Sequence, residues 1–225
     1  MTLAIVAAVA RDGAIGKGGS IPWTRLKRDM QFFAHVTTAL HPEKMAYHFT
    51  RYPHTVSVAG GSHSEELWHT AQNACIMGWR THRSLGTPLT QRTSIVLRNV
   101  TAEDTDDGWH CKAGSFNHAL VKAAARNAPN VFAIGGTRVF EAALRHCECR
   151  YLYLTEIDAE YPDADTFFPW PQMKWDDRKV YCYDPNIYGG LHISGRRWFR
   201  RTHVSQWLEE ETGPRFRFGI WERAL

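Results

Sequence analysis

Short, continuous apolar runs alternate along this chain with stretches of helical spacing, and that alternation leaves few folds open. Residues 3–9 form the first run; 74–78, 93–97, 131–134 and 151–157 follow. Runs of this length without polar alternation predict strands buried on both faces. Between them the spacing predicts helices from Thr24 or Arg25 to Val36, over 80–85, over 115–127 and over 137–145. Strands alternating with helices pair in parallel, so the fold class is α/β with a central, mostly parallel sheet and flanking helices. Residues 198–207 and 215–223 read as two more strands, an antiparallel finish.

Two stretches break the alternation. Residues 38–72 are rich in His, Gly, Ser and Tyr and read as an insertion or long loop, with a short alternating strand at 55–59. Residues 170–213 read as an extension without a legible motif. The length suits one domain, 1–225, carrying both.

The net charge of +4 is mild. It suits an anionic small molecule as well as nucleic acid. No apolar run reaches membrane-span length. The apolar start lacks a basic leader, so it reads as a buried strand rather than a signal peptide. Cys75, Cys111, Cys147, Cys149 and Cys182 are odd in number and irregularly spaced, as expected of free thiols in a reducing cytoplasm. Cys147 and Cys149 do not have zinc-site spacing, and no metal is expected. The sequon at Asn99 has no secretion signal to serve it. Residues 195–201 interleave arginines with Trp198 and Phe199. That pattern suits RNA, but the favoured reading is an exposed strand end whose arginines lay their stems on apolar surface.

Six places carry possible chemistry. Leu26, Met30, Phe33 and Val36 recur at helical spacing, and Asp29 falls inside their stripe. A carboxylate there is costly unless a charged or hydrogen-bonding group meets it, and a ligand is one such group. The helix dipole at a first turn also accounts for an acid there. Thr24 is the candidate N-cap. Upstream, residues 12–23 form a Gly-rich segment that could act as a lid. Gly135-Gly136-Thr137-Arg138 and Gly78-Trp79-Arg80-Thr81 each place glycine and free N–H groups where a strand meets a helix. Such turns suit a phosphate, two of them a dinucleotide, though either could be a tight turn alone. Arg98 ends the third strand and is a candidate for a ribose phosphate. Arg92 opens it and suits a carboxylate, or lies solvated at the strand edge.

Together these segments closely resemble dihydrofolate reductase, from Leu3 to Pro169 with gaps, and again at Arg217-Phe218-Gly219-Ile220-Trp221. The extra residue between Trp23 and the acid, and the long tail, resemble eukaryotic members, fungal ones included. The resemblance implies NADPH-dependent reduction of 7,8-dihydrofolate to tetrahydrofolate, supporting one-carbon metabolism and thymidylate synthesis. It implies a cytoplasmic monomer that binds antifolates, with no nucleic-acid or membrane partner. Asp29 would grip the pterin and favour protonation of its ring nitrogen, Trp23 would orient water, and Thr155 would hydrogen-bond Asp29. Val6, Ala8, Phe33, Leu85, Leu89 and Ile134 would wall the folate, and Arg92 would bind its glutamate carboxylate. For NADPH the resemblance implies Ala8, Ile15, Gly16, Lys17, Gly19 and Ser20. It also implies Trp79, Arg80, Thr81, Arg98 and Asn99, and Gly135, Gly136, Thr137, Arg138, Val139 and Phe140.

The chain departs from the family in places. Trp79 stands where a cation is common, His82 replaces a common Trp, Phe140 a common Tyr, and Thr137 a small residue. A pyrimidine reductase of riboflavin synthesis shares fold and cofactor; Asp29 with Arg92 favours folate. A binding protein for folate, NADPH or RNA is the reading from another class, and RNA competition against NADPH would separate it from an enzyme.

Overall fold

The computed structural model describes residues 1–54, 72–98, 110–169, 179–181 and 198–223. Its strands are β1 (Thr2–Ala10), β2 (Ala14–Gly16), β3 (Asn73–Gly78), β4 (Arg92–Leu97), β5 (Cys111–Ala113), β6 (Asn130–Gly135), β7 (Cys149–Ile157), β8 (Thr166–Phe167), β9 (Lys179–Tyr181), β10 (Trp198–Val204) and β11 (Phe216–Arg223). Its helices are α1 (Lys27–Thr38), α2 (Pro42–Arg51), α3 (Trp79–Leu85), α4 (Phe116–Ala125) and α5 (Thr137–Arg145).

Nine strands make one sheet in the order β5-β4-β3-β6-β1-β7-β11-β10-β9. Pairing is parallel from β5 through β7. It is antiparallel from β7 through β11 and β10 to β9. The alternation of apolar runs therefore gives the expected mostly parallel α/β sheet. β1 shows why such runs lack polar alternation. Leu3, Ile5 and Val9 enter the core layer under α4 and α5, while Ala4, Val6 and Ala10 enter the layer under α1 and α2. Both faces are buried, so neither tolerates polar side chains.

The sequence predicts an insertion or long loop over 38–72, and the structure corrects this: the stretch contains α2. Pro42 opens that helix, and Ala46, Phe49 and Thr50 are its buried face. Phe49 meets Phe32 edge-on at 5.4 Å and Phe218 at 5.6 Å, while Phe32 stacks on Phe218 at 4.4 Å. The three rings fasten α2 over α1 and β11, and such pairs add about 0.5–1.5 kcal/mol each beyond area burial. The short strand expected at 55–59 lies outside the described residues. The strand expected over 198–207 ends at Val204.

Across the antiparallel end, Glu156 of β7 is fully buried and meets Arg217 of β11 at 2.5 Å and Arg201 of β10 at 3.3 Å. This pairing bears on the basic cluster at 195–201. Arg201 is committed to Glu156, and Phe199 is buried beneath Arg223, whose guanidinium lies 5.0 Å from the ring. Phe199 is thus core and offers no stacking platform for a base. Residues 195–197 lie outside the described residues. Among the described residues Cys75, Cys111 and Cys149 are buried thiols and Cys147 an exposed one. None of the described helices is long and apolar enough to cross a membrane.

Candidate active site

α1 sets the acid's position. The helix begins at Lys27, three residues later than Thr24, and its N-cap residue Leu26 makes no side-chain capping bond. Its buried apolar residues are Phe32 and Val36, which seat on the sheet. Phe33 is only half-buried, so the apolar stripe is turned relative to the spacing of 26, 30, 33 and 36. Asp29 lies one turn before Phe33 and shares its side of the helix. There the Thr155 hydroxyl hydrogen-bonds its carboxylate. Thr155 is buried in β7 opposite Ala8 of β1. Burial pushes the Asp29 carboxyl up to about 6; the Thr155 bond opposes this, and the charge of Glu210 reinforces it.

The apolar side chains expected to wall the folate share one core layer. Val6 is buried, and Ala8, Phe33, Leu85, Leu89 and Ile134 are half-buried against the same core layer. They come from β1, α1, the end of α3, the segment before β4, and β6, and all pack in the core layer that α1 covers. Trp23 is buried beside Tyr161, with ring centroids 5.6 Å apart. Its indole N–H has no protein acceptor among the described residues. A buried donor without a protein partner is satisfied by water or a ligand. Farther along α1, the Arg92 guanidinium lies 5.6 Å from the Phe33 ring centroid. It donates to the Thr37 hydroxyl at 2.7 Å and the Thr90 carbonyl at 2.9 Å. Burial lowers its affinity for its proton. Its partners here are neutral, which leaves the charge available to an anion.

The two glycine turns lie side by side. A Cβ built on Gly78 would sit 3.8 Å from the Gly135 carbonyl oxygen and the Gly136 nitrogen. On Gly135 it would sit 3.4 Å from the Thr81 hydroxyl, and on Gly136 it would meet only that hydroxyl, at 3.9 Å. Gly135 has φ +128°, where a side chain is strained, and the Gly135–Gly136 peptide is cis. The two glycines leave an open cradle at the start of α5. Arg138 and Arg80 are exposed near it. Arg98 lies over the Trp79 ring at 4.9 Å. The charge is thus placed at the carboxyl ends of β3 and β4. Val139 and Phe140, expected to line the cofactor, are only 2% and 3% exposed. Phe140 packs on Phe168 at 4.9 Å, so these residues floor the cradle from within the core.

The Gly-rich segment is anchored rather than loose. β2 pairs with β8, Lys17 forms an ion pair with Asp163, and the Gly18 N–H donates to Asp165 at 2.7 Å. Lys17 and Ser20 close a tight turn through backbone bonds of 2.8 and 3.0 Å, with Lys17, Gly19 and Ser20 exposed. Ile15 and Gly16 are half-buried, toward β1. Thr137 donates its hydroxyl to the Phe167 carbonyl at 2.7 Å, tying the cradle to the same loop. Asn99 lies outside the described residues.

The family profile described as dihydrofolate reductase matches residues 67–184, just over half of the chain. The dihydrofolate reductase of Mus musculus is 30% identical over 225 residues, covering 97% of this chain and 95% of its own. That of Gallus gallus is 25% identical over 227 residues, covering 98% and 95%. That of Haemophilus influenzae is 28% identical over 180 residues, covering 80% and 85%. The chain belongs to the dihydrofolate reductase family. As a dihydrofolate reductase it is an oxidoreductase, and the family uses a nicotinamide cofactor.

Two residues of this reductase escape a reading of the sequence. Thr37 holds Arg92 in place, and it reads only as a polar residue near a helix end. Glu210 accepts from the Lys27 and Arg28 N–H groups at 2.8 Å each, and so supplies the cap that Thr24 does not. No local signal links residue 210 to residue 27.

Proposed function

We propose that the chain reduces 7,8-dihydrofolate to 5,6,7,8-tetrahydrofolate with NADPH, supplying one-carbon transfer and thymidylate synthesis. We take 1–225 as one domain acting as a monomer. The observation that carries this reading is Asp29. It is a carboxyl that burial raises to about 6 at the start of α1, and the core layer that α1 covers also holds Trp23, a buried indole donor without a protein acceptor among the described residues. A group balanced near neutral pH can hold a proton and still release it, which general acid chemistry requires.

The pterin's amidine would lie on Asp29, held by hydrogen bonds that gain strength where water is excluded. Trp23 would hold a water beside the acid, and Thr155 would fix the carboxylate's orientation. The walls formed by Val6, Phe33, Leu85 and Ile134 would exclude bulk water, and Arg92 would take the substrate's carboxylate. Bound NADPH supplies the hydride. For that cofactor the cradle at Gly135 and Gly136 admits a phosphate to the α5 N-terminus, and Arg80 and Arg98 supply charge for the ribose phosphate. Trp79 leaves selectivity between NADPH and NADH to those two arginines.

The test follows NADPH absorbance with and without 7,8-dihydrofolate in wild type and Asp29→Asn. Fast decay that requires dihydrofolate and is lost in the variant supports the assignment. Decay at wild-type speed in Asp29→Asn would remove the acid from its role. A folded wild type that binds NADPH but leaves dihydrofolate untouched would remove the substrate.

A further inference from the structure

α1 carries the acid but has no cap of its own. The connection between β10 and β11 supplies one. Both oxygens of the Glu210 carboxylate are used, one accepting from Lys27 N–H and the other from Arg28 N–H, at 2.8 Å each. Those donors belong to the residues directly before Asp29. The connection is itself pinned. Leu208 is buried and exchanges two backbone bonds with Phe216, at 2.7 and 3.0 Å. At Gly213, a built Cβ would lie 2.5 Å from the Thr24 hydroxyl and 3.0 Å from Leu26. The segment 208–216 therefore grips the start of α1.

We propose that Glu210 is a positioning residue for Asp29: it fixes the helix turn that carries the acid and keeps a negative charge beside it. The proposal rests on the reading of Asp29 as the substrate-binding acid. Two effects follow from one carboxylate. Capping two orphan N–H groups holds the first turn in register. A like charge nearby also disfavours ionisation of Asp29. Without Glu210, the helix dipole and the Thr155 bond would stabilise the Asp29 anion with no like charge opposing them, and draw its midpoint down. Glu210 faces Asp29 from the β10–β11 connection and Thr155 faces it from β7. Arg25, Lys27 and Arg28 flank the acid on its own segment. Arg92 of β4 is bound two turns away at Thr37.

The test compares Glu210→Gln, Glu210→Asp and the exposed neighbour Glu209→Gln. The readout is the ionisation of Asp29 followed by carboxyl carbon NMR in the substrate-free protein, beside the pH profile of dihydrofolate-dependent NADPH oxidation. Glu210→Gln is expected to lower the Asp29 midpoint by about half a pH unit, as loss of one nearby charge requires. Its turnover falls at neutral pH and recovers its plateau in mild acid. Glu210→Asp restores most of the midpoint, and Glu209→Gln leaves it in place. A midpoint unmoved in folded Glu210→Gln, or moved equally by Glu209→Gln, overturns the proposal. If Glu210→Gln does not fold, Glu210→Asp decides, and a midpoint lowered by the full half unit in that variant, which keeps the charge, overturns it. The NMR titration needs no turnover, so a wild type inactive on dihydrofolate would count against the assigned reaction and not against Glu210.

Discussion

Replacing Asp29 by Asn should remove turnover and stabilise the fold, and the stabilisation should depend on pH. The native Asp29 midpoint is about 6 against an ordinary 3.8. Below pH 3.8 native and unfolded chains both carry the proton. As the pH rises from there to about 6, the unfolded chain releases its proton while the native chain keeps it. Stability is therefore lost across that window, and above it the loss is complete. A difference of roughly 2 pH units corresponds to about 3 kcal/mol at pH 8 and about 1 kcal/mol at pH 4.5. Asp29 is half-buried rather than enclosed, so solvent screening reduces the upper figure to ~1.5 kcal/mol. Asn does not ionise and keeps an oxygen for the Thr155 hydroxyl, so the variant should resemble the protonated wild type at every pH. Urea denaturation of both proteins between pH 4.5 and 8 measures the gap. A gap that widens with pH and levels above 6.5 is expected. A constant gap, or an Asn variant less stable than wild type at pH 8, would refute the account of a desolvated acid.

Three other substitutions test separate parts of the molecule. Arg92→Gln should raise the KM for dihydrofolate about 10- to 100-fold and change kcat little, because it removes a charged hydrogen-bond donor distant from the pterin end; steady-state kinetics decides, and a fall confined to kcat would contradict it. Arg98→Gln should narrow the preference for NADPH over NADH by about 10-fold, read from kcat/KM on both cofactors. Gly213→Ala should cost ~2–3 kcal/mol, since the residue has φ +108° and its Cβ would lie 2.5 Å from Thr24 Oγ1; thermal unfolding measures it, and a neutral outcome would show that the connection yields easily at α1.

How far the sequence reveals this molecule follows from the range of each interaction. Apolar runs report burial of one strand, so β1, β3, β4, β6 and β7 are legible. β5, with three residues, is too short to register, and so are β2 and β8. α2 was hidden because its buried face is small: Ala46, Phe49 and Thr50, among histidines and charged residues. Phe32, Phe218 and the sheet beneath give that face its partner, and they lie far away in the chain. The glycine turns are legible because their chemistry is local: a strand end, a residue without Cβ, a helix start. Asp29 is legible as an anomaly, an acid on an apolar stripe.

The setting that makes Asp29 an acid of the right strength was not legible, because its contributors come from opposite ends of the chain. Thr155 arrives with β7 and lowers the midpoint; Glu210 arrives with the β10–β11 connection and raises it. The antiparallel end of the sheet therefore does more than close the fold. By placing β11 beside β7 it brings the connection that precedes β11 to the start of α1, where two backbone donors await a partner. A helix with its own neutral Ser cap would have needed no such help, and its acid would have faced a dipole with no like charge beside it. The missing cap at Leu26 and the remote carboxylate at Glu210 are thus one arrangement, and it links the stability of the first helical turn to the ionisation of the acid that the turn presents.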